Sequence, residues 1–175
     1  MSAPGPIQRL ENGKGGRNDW RTPPGLFKKL DDYFHFTIDG AASVENALCE
    51  RYYDEEMNAF QQLPEDESIF VNPPYGKDWK RWISLFEQWG DSGNTVVALV
   101  PSATDTEWWA MAYESANDCY LLSGRVKFIN PETGKPGKRN TTGSTVFIWS
   151  RDSIWALGAG LWDWRNQPFD PDLPS

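Results

Sequence analysis

Hydrophobic positions along this chain fall into two rhythms. Thr95-Val96-Val97-Ala98-Leu99-Val100 is an unbroken β-branched and aliphatic run, as expected of a strand buried on both faces. Ser68-Ile69-Phe70-Val71 and Thr145-Val146-Phe147-Ile148-Trp149 read the same way. Between them Trp79, Trp82, Ile83, Phe86 and Trp89 recur at helical spacing, so residues 78–89 predict a helix with one apolar face, closed by Gly90 and Gly93. An earlier helix runs from Pro23 or Pro24 to Tyr33, with Leu26, Phe27, Leu30 and Phe34 in its stripe, Thr22 as N-cap and proline in the first turn. Residues 36–39 predict a short strand ending in Asp39, followed by the small-residue turn Gly40-Ala41-Ala42-Ser43. A helix or turn over 46–50 leads to a strand candidate at 51–53, and a further helix is expected over 107–116. Residues 119–122 and 126–129 are strand candidates, and 130–143 is a loop with Gly134, Gly137 and Gly143. Strands alternating with helices define an α/β fold, a mostly parallel sheet with helices on both faces. The pair of strands around the Gly-rich loop is expected to close it antiparallel. Residues 1–18 read as a flexible arm and residues 163–175 as an acidic tail.

Length and composition narrow this picture. At 175 residues the chain fits one domain with a full core. A net charge of −8 argues against nonspecific coating of nucleic acid, yet the charge is uneven. Residues 54–67 carry acids and no base, whereas 123–143 hold Arg125, Lys127, Lys135, Lys138 and Arg139 against Glu132. Cys49 and Cys119 have no metal-ligand spacing and make no disulfide framework, which fits a reducing compartment. With no signal peptide and no apolar run of spanning length, a soluble, cytoplasmic protein is expected, with no membrane and no metal partner. His35 reads as structural.

The segment Asn72-Pro73-Pro74-Tyr75-Gly76 carries the most chemistry. It follows an apolar strand, and paired prolines continue neither a ladder nor a helix, so it is a stiff extended turn. Such turns at strand carboxyl ends are where α/β proteins place ligands. The Asn72 amide oxygen and the Asn72 and Pro73 carbonyls are acceptors, and the Tyr75 ring stands beside them. That set suits a planar group bearing an NH₂.

In order along the chain, Asp19-Trp20-Arg21-Thr22-Pro23-Pro24, Asp39-Gly40-Ala41-Ala42-Ser43, the pentapeptide, Leu99-Val100-Pro101 and Gly124-Arg125-Val126-Lys127-Phe128 resemble the phage-type DNA N6-adenine methyltransferases. The likeness covers residues 19–149. It implies a Rossmann-like, S-adenosylmethionine-dependent methyltransferase fold in a single domain over 19–162, and transfer of a methyl group to adenine N6 in DNA with the base flipped out. It implies a catalytic loop of Asn72, Pro73, Pro74 and Tyr75. Thr22 and Pro23, at a helix N-terminus, then meet the cofactor carboxylate, and Asp39 with Ala41 its methionine portion. An acid after the second strand holds the ribose; Asp54 is the candidate and Glu55 its rival. Arg125, Lys127, Lys138 and Arg139 are candidates for DNA phosphates, and Phe128 for the flipped base. Each of these has a plainer reading: an N-cap for Thr22, solvated acids for Asp39 and Asp54, a solvated basic loop, and a core ring for Phe128. The chain departs from many methyltransferases in having one glycine, Gly40, where a Gly-rich turn approaches the cofactor.

Other acceptors fit the same loop. A protein glutamine amide is a planar NH₂ too, cytosine N4 and RNA are variants, and a catalytically silent DNA- or nucleotide-binding module could keep the fold. Cytosine C5 chemistry needs a cysteine nucleophile, and neither cysteine lies in a Pro-Cys loop. About 130 residues of core leave little for separate sequence reading, so short or weak sequence specificity is expected.

Overall fold

The computed structural model describes residues 20–137, 142–151 and 158–171. Along the chain run α1 (Pro24–Phe34), β1 (Ile38–Asp39), β2 (Arg51–Tyr52), β3 (Ser68–Val71), α2 (Trp79–Asp91), β4 (Thr95–Pro101), α3 (Glu107–Ser115), β5 (Asp118–Leu122), β6 (Ser144–Ser150) and β7 (Gly158–Trp162). The strands form a seven-stranded sheet in the order β2-β1-β3-β4-β6-β5-β7. β2, β1, β3 and β4 are parallel neighbours. β6 enters antiparallel between β4 and β5, and β7 lies parallel to β5.

Period-two alternation divides the sheet between two cores. Ile69, Val71, Val96, Ala98, Val100, Phe147 and Trp149 face one side, where α2 lays down Trp82, Ile83, Phe86 and Trp89, and α3 adds Ala112. Phe70, Val97, Leu99, Val146 and Ile148 face the other, under Leu26 and Leu30 of α1. These two leucines are 0% exposed, and burying each contributes about 1.5–3 kcal/mol. The exposed Lys28–Asp32 pair on the same helix is worth only about 0.3–0.5 kcal/mol, so α1 is held by its apolar stripe.

Several elements differ from the sequence expectation. Pro23, not Thr22, occupies the N-cap of α1, and no side chain caps it; the Pro23 carbonyl accepts from the backbone N–H of Leu26 and Phe27. Gly90 lies inside α2, which runs on to Asp91. Residues 126–129 form no strand: Ile129 makes isolated bridges to Arg21 and Pro136. β7 was not foreseen, and of the segment read as a tail Phe169 is buried. Residues 1–18, Asp19, Lys138 and Arg139 lie outside the described residues.

Candidate active site

Parallel pairing puts the carboxyl ends of β1, β3 and β4 on one edge of the sheet. The chain goes from β1 to β2 on one side, then crosses from β2 to β3 on the other side of β1, so the strand order reverses there, the usual ligand position in an open α/β sheet. Asp39 ends β1, the pentapeptide follows β3, and residues 20–23 lead into α1.

Pro73 is buried, Pro74 exposed and Asn72 half-buried. The Asn72 Nδ2 group donates to the Trp20 carbonyl at 3.3 Å and to Thr22 Oγ1 at 3.2 Å. Since a carbonyl only accepts, the amide must present nitrogen to Trp20, and its oxygen turns the other way. Burial pushes the Tyr75 hydroxyl above its usual pKa, keeping it neutral. Its ring lies 6.0 Å from that of Trp79, which stacks on Trp108 at 4.3 Å and 14°. These tryptophans stand at the starts of α2 and α3, on the side of the sheet's edge that carries the Pro-rich loop.

Asp39 is buried, and its carboxylate accepts from the backbone N–H of Ala41 at 3.3 Å and of Leu48 at 3.1 Å. Desolvation outweighs those two bonds and raises its pKa to about 6. The solvated-acid reading of Asp39 therefore fails. Gly40 has a packing reason: a Cβ there would meet Val71 Cγ2 at 2.9 Å. Asp54, just past β2, accepts from the Met57 N–H at 2.8 Å and so closes a turn at its own carboxyl end. Thr22 is 4% exposed, its hydroxyl spent on Asn72 rather than on a helix end.

On the basic segment Arg125 and Lys127 are exposed while Val126 and Phe128 are buried. Phe128, 8% exposed, packs in the α1-side core, which leaves little ring surface for a base. The loop is tied to the segment that leads into α1. Arg21 and Ile129 exchange both backbone hydrogen bonds, at 3.0 and 2.9 Å, and a Cβ on Gly137 would lie 2.7 Å from the Trp20 ring. Sequence reasoning missed Trp20, because a backbone carbonyl leaves no side-chain signal. Lys77, one residue past the pentapeptide, is exposed.

The two thiols are inert. Burial, with Asp39 next and then Asp31, pushes Cys49 up to about 12. Burial and then Asp118 do the same for Cys119, also to about 12. Neither supplies a thiolate nucleophile at neutral pH. Among the described residues no group of His, Cys, Asp or Glu is arranged to hold a metal, and no helix is long and apolar enough to cross a membrane. A cleft of about 460 Å³ lined by Glu67, Ser68, Thr95, Asp118 and Ser150 opens at the opposite edge, where β3, β4 and β5 begin and β6 ends. It is remote from the Pro-rich loop.

A mostly parallel sheet with an inserted antiparallel strand, and an Asn-Pro-Pro-Tyr loop at its switch point, define a Rossmann-like methyltransferase fold. The family model described as DNA N-6-adenine-methyltransferase (Dam) matches residues 11–156, and the chain belongs to that family. It is 30% identical over 149 residues to a DNA N-6-adenine-methyltransferase of Escherichia phage T1, an alignment taking in 75% of this chain. The chain spans 62% of that relative's length.

Proposed function

We propose that the protein transfers a methyl group from S-adenosylmethionine to the exocyclic N6 of adenine in DNA, with the target base turned out of the duplex. The observation that carries this is the Asn72 amide, whose N–H groups are held by Trp20 and Thr22 so that its oxygen is the atom left to accept. Adenine N6 is a poor nucleophile because its lone pair is delocalised into the ring. Asn72 Oδ1 and the Pro73 carbonyl would accept its two N–H bonds, localising the lone pair and aiming it. No strong base is required at the outset, since the amine becomes acidic only as it gains the methyl group. The Tyr75 ring would lie against the base face.

The residues fit a cationic cofactor. Asp39 is a desolvated carboxylate at the carboxyl end of β1, and an ammonium beside it would offset its burial. Bound there, S-adenosylmethionine supplies an electrophilic methyl group on sulfur. Pro23, just before α1, and Ala41, just past β1, would contact the cofactor in this reading, and Asp54, just past β2, would hold the ribose. Arg125, Lys127 and Lys77 would meet DNA phosphates on either side of the loop, with Lys138 and Arg139 extending the basic set.

The test is incubation with methyl-labelled S-adenosylmethionine and adenine-unmethylated duplex DNA, followed by digestion to nucleosides. Label should appear as N6-methyldeoxyadenosine. Label found in protein and none in DNA would sink the reading. Asn72→Ala should lower transfer by about 10²–10³-fold with cofactor affinity within about twofold; unchanged activity would remove Asn72 from the chemistry.

A further inference from the structure

Thr22 enters the site by a route that neither its place before a helix nor the family resemblance indicates. A threonine ahead of two prolines reads as an N-cap or as a ligand for an anion at a helix N-terminus. In the structure it caps nothing, and its hydroxyl meets a different partner. Pro23 takes the cap position, no side chain caps α1, and Thr22 is buried with its Oγ1 3.2 Å from Asn72 Nδ2. The second acceptor for that nitrogen is the Trp20 carbonyl, two residues earlier, at 3.3 Å. Residues 20–22 thus form a strap with two acceptors aimed at one amide nitrogen.

The strap is itself fixed at both ends. Pro23 and Pro24 follow it, with φ locked by their rings. Between its two acceptors, Arg21 exchanges both backbone hydrogen bonds with Ile129, and the Trp20 ring rests against Gly137, where a Cβ would stand 2.7 Å away. Ile129 and Gly137 belong to the stem of the turn over residues 130–136, entered by the segment that carries exposed Arg125 and Lys127.

We propose that Thr22 is a positioning residue for Asn72. With the Trp20 carbonyl it holds the Asn72 amide nitrogen inward and so fixes Oδ1 as the acceptor, and the Arg21–Ile129 bridge makes this orientation depend on the seating of the basic loop. A free asparagine amide has two faces, one donating and one accepting, with a broad torsion between them. An N6 amine can be engaged only by the accepting face. Removing one inward acceptor loosens the torsion and lets the donating NH₂ turn toward the substrate, where it would repel the amine hydrogens. The proposal rests on the methyl-transfer reading for its catalytic consequence, but the restraint on the amide is a property of the protein alone.

Thr22→Val keeps shape and burial and deletes the acceptor; Thr22→Ser restores it. Two readouts separate the cases. First, the side-chain NH₂ signals of Asn72, assigned by their loss in Asn72→Ala, are followed by ¹⁵N NMR in the cofactor-free protein. They should exchange slowly with solvent in the native protein, faster by about tenfold or more in Thr22→Val, and slowly again in Thr22→Ser. Second, single-turnover transfer at saturating S-adenosylmethionine should fall by about 10–10²-fold in Thr22→Val and recover in Thr22→Ser, with cofactor affinity within about twofold throughout. Equal exchange in all three proteins overturns the proposal. So does a Thr22→Val protein that loses tenfold in cofactor affinity while keeping its saturated rate, since Thr22 would then be a cofactor ligand. If the NMR pattern holds but native protein leaves adenine unmodified, the methyl-transfer reading fails and the positioning role stands.

Discussion

Asp39 has its carboxylate out of water with only two backbone N–H groups for company, and its pKa has moved up to about 6 from 3.8. The native state therefore binds a proton that the unfolded chain releases. The stabilising contribution is fully present below about pH 4 and is lost as pH rises through 6. Between pH 7 and pH 5 it amounts to about 1 kcal/mol in favour of the fold. Urea titrations of the cofactor-free protein should show this gain on acidification, and Asp39→Asn should flatten it; equal slopes would place the proton elsewhere. Cofactor binding should run the opposite way. An ammonium on Asp39 needs the ionised form, so affinity for S-adenosylmethionine should be roughly tenfold weaker at pH 5 than at pH 7. A dissociation constant flat over that range, measured by calorimetry, would remove the contact. At this scale Asn72 is legible, because it sits in a pentapeptide whose stiffness and position can be read from the sequence. The partners of Asn72 are not legible, since one is a backbone carbonyl and the other a threonine whose usual task, capping, is performed by nothing here.

At the scale of elements, α2 shows where pattern reading succeeds and where it stops. Its apolar face is readable from the spacing of Trp79, Trp82, Ile83, Phe86 and Trp89, but Gly90 reads as a terminator and is in fact part of the packing face. A Cβ at Gly90 would meet Trp149 Cβ at 2.8 Å and its carbonyl carbon at 3.3 Å. Helix propensity alone favours Gly90→Ala by about 1 kcal/mol. Overpacking against a strand backbone costs about 1–3 kcal/mol and wins. Chemical denaturation should find Gly90→Ala less stable than the native chain, and a gain in stability would show that α2 can shift off β6. The misses elsewhere have similar causes. Residues 126–129 alternate like a strand, with Lys127 exposed between buried Val126 and Phe128, yet they join no strand of the sheet: Ile129 makes isolated bridges to Arg21 and Pro136, and the Phe128 carbonyl accepts from the Gly137 N–H. β7 carries Gly158 and Gly160, which thin its apolar signal to nothing a period could detect, and it forms because β5 offers an edge. The long apolar strands β3, β4 and β6 are legible because burial on both faces leaves few residue choices.

Over the whole molecule the last described segment is structural. Phe169 sits among Tyr33, Phe34, Tyr120 and Trp162, with ring centroids 5.5, 5.2, 5.1 and 5.0 Å away. Lys29 of α1 donates to the carbonyls of Trp164 and Gln167 at 2.7 and 2.8 Å, and the Trp162 indole to that of Pro168 at 3.0 Å. Phe169→Ala should lower stability by about 3 kcal/mol in urea or thermal denaturation; a change under about 0.5 kcal/mol would show that α1 and the sheet do not depend on this contact. The sheet order has a further consequence, for the path by which the chain folds. β4 can pair with β3 as soon as residue 101 exists, but its other side waits for β6 at residues 144–150, and β5 has no neighbour at all until β6 or β7 has been made. Through that interval the free edge of β4 has no partner in the chain, so topology predicts that the non-local arrival of β6 between β4 and β5 is a slow and aggregation-exposed step of assembly.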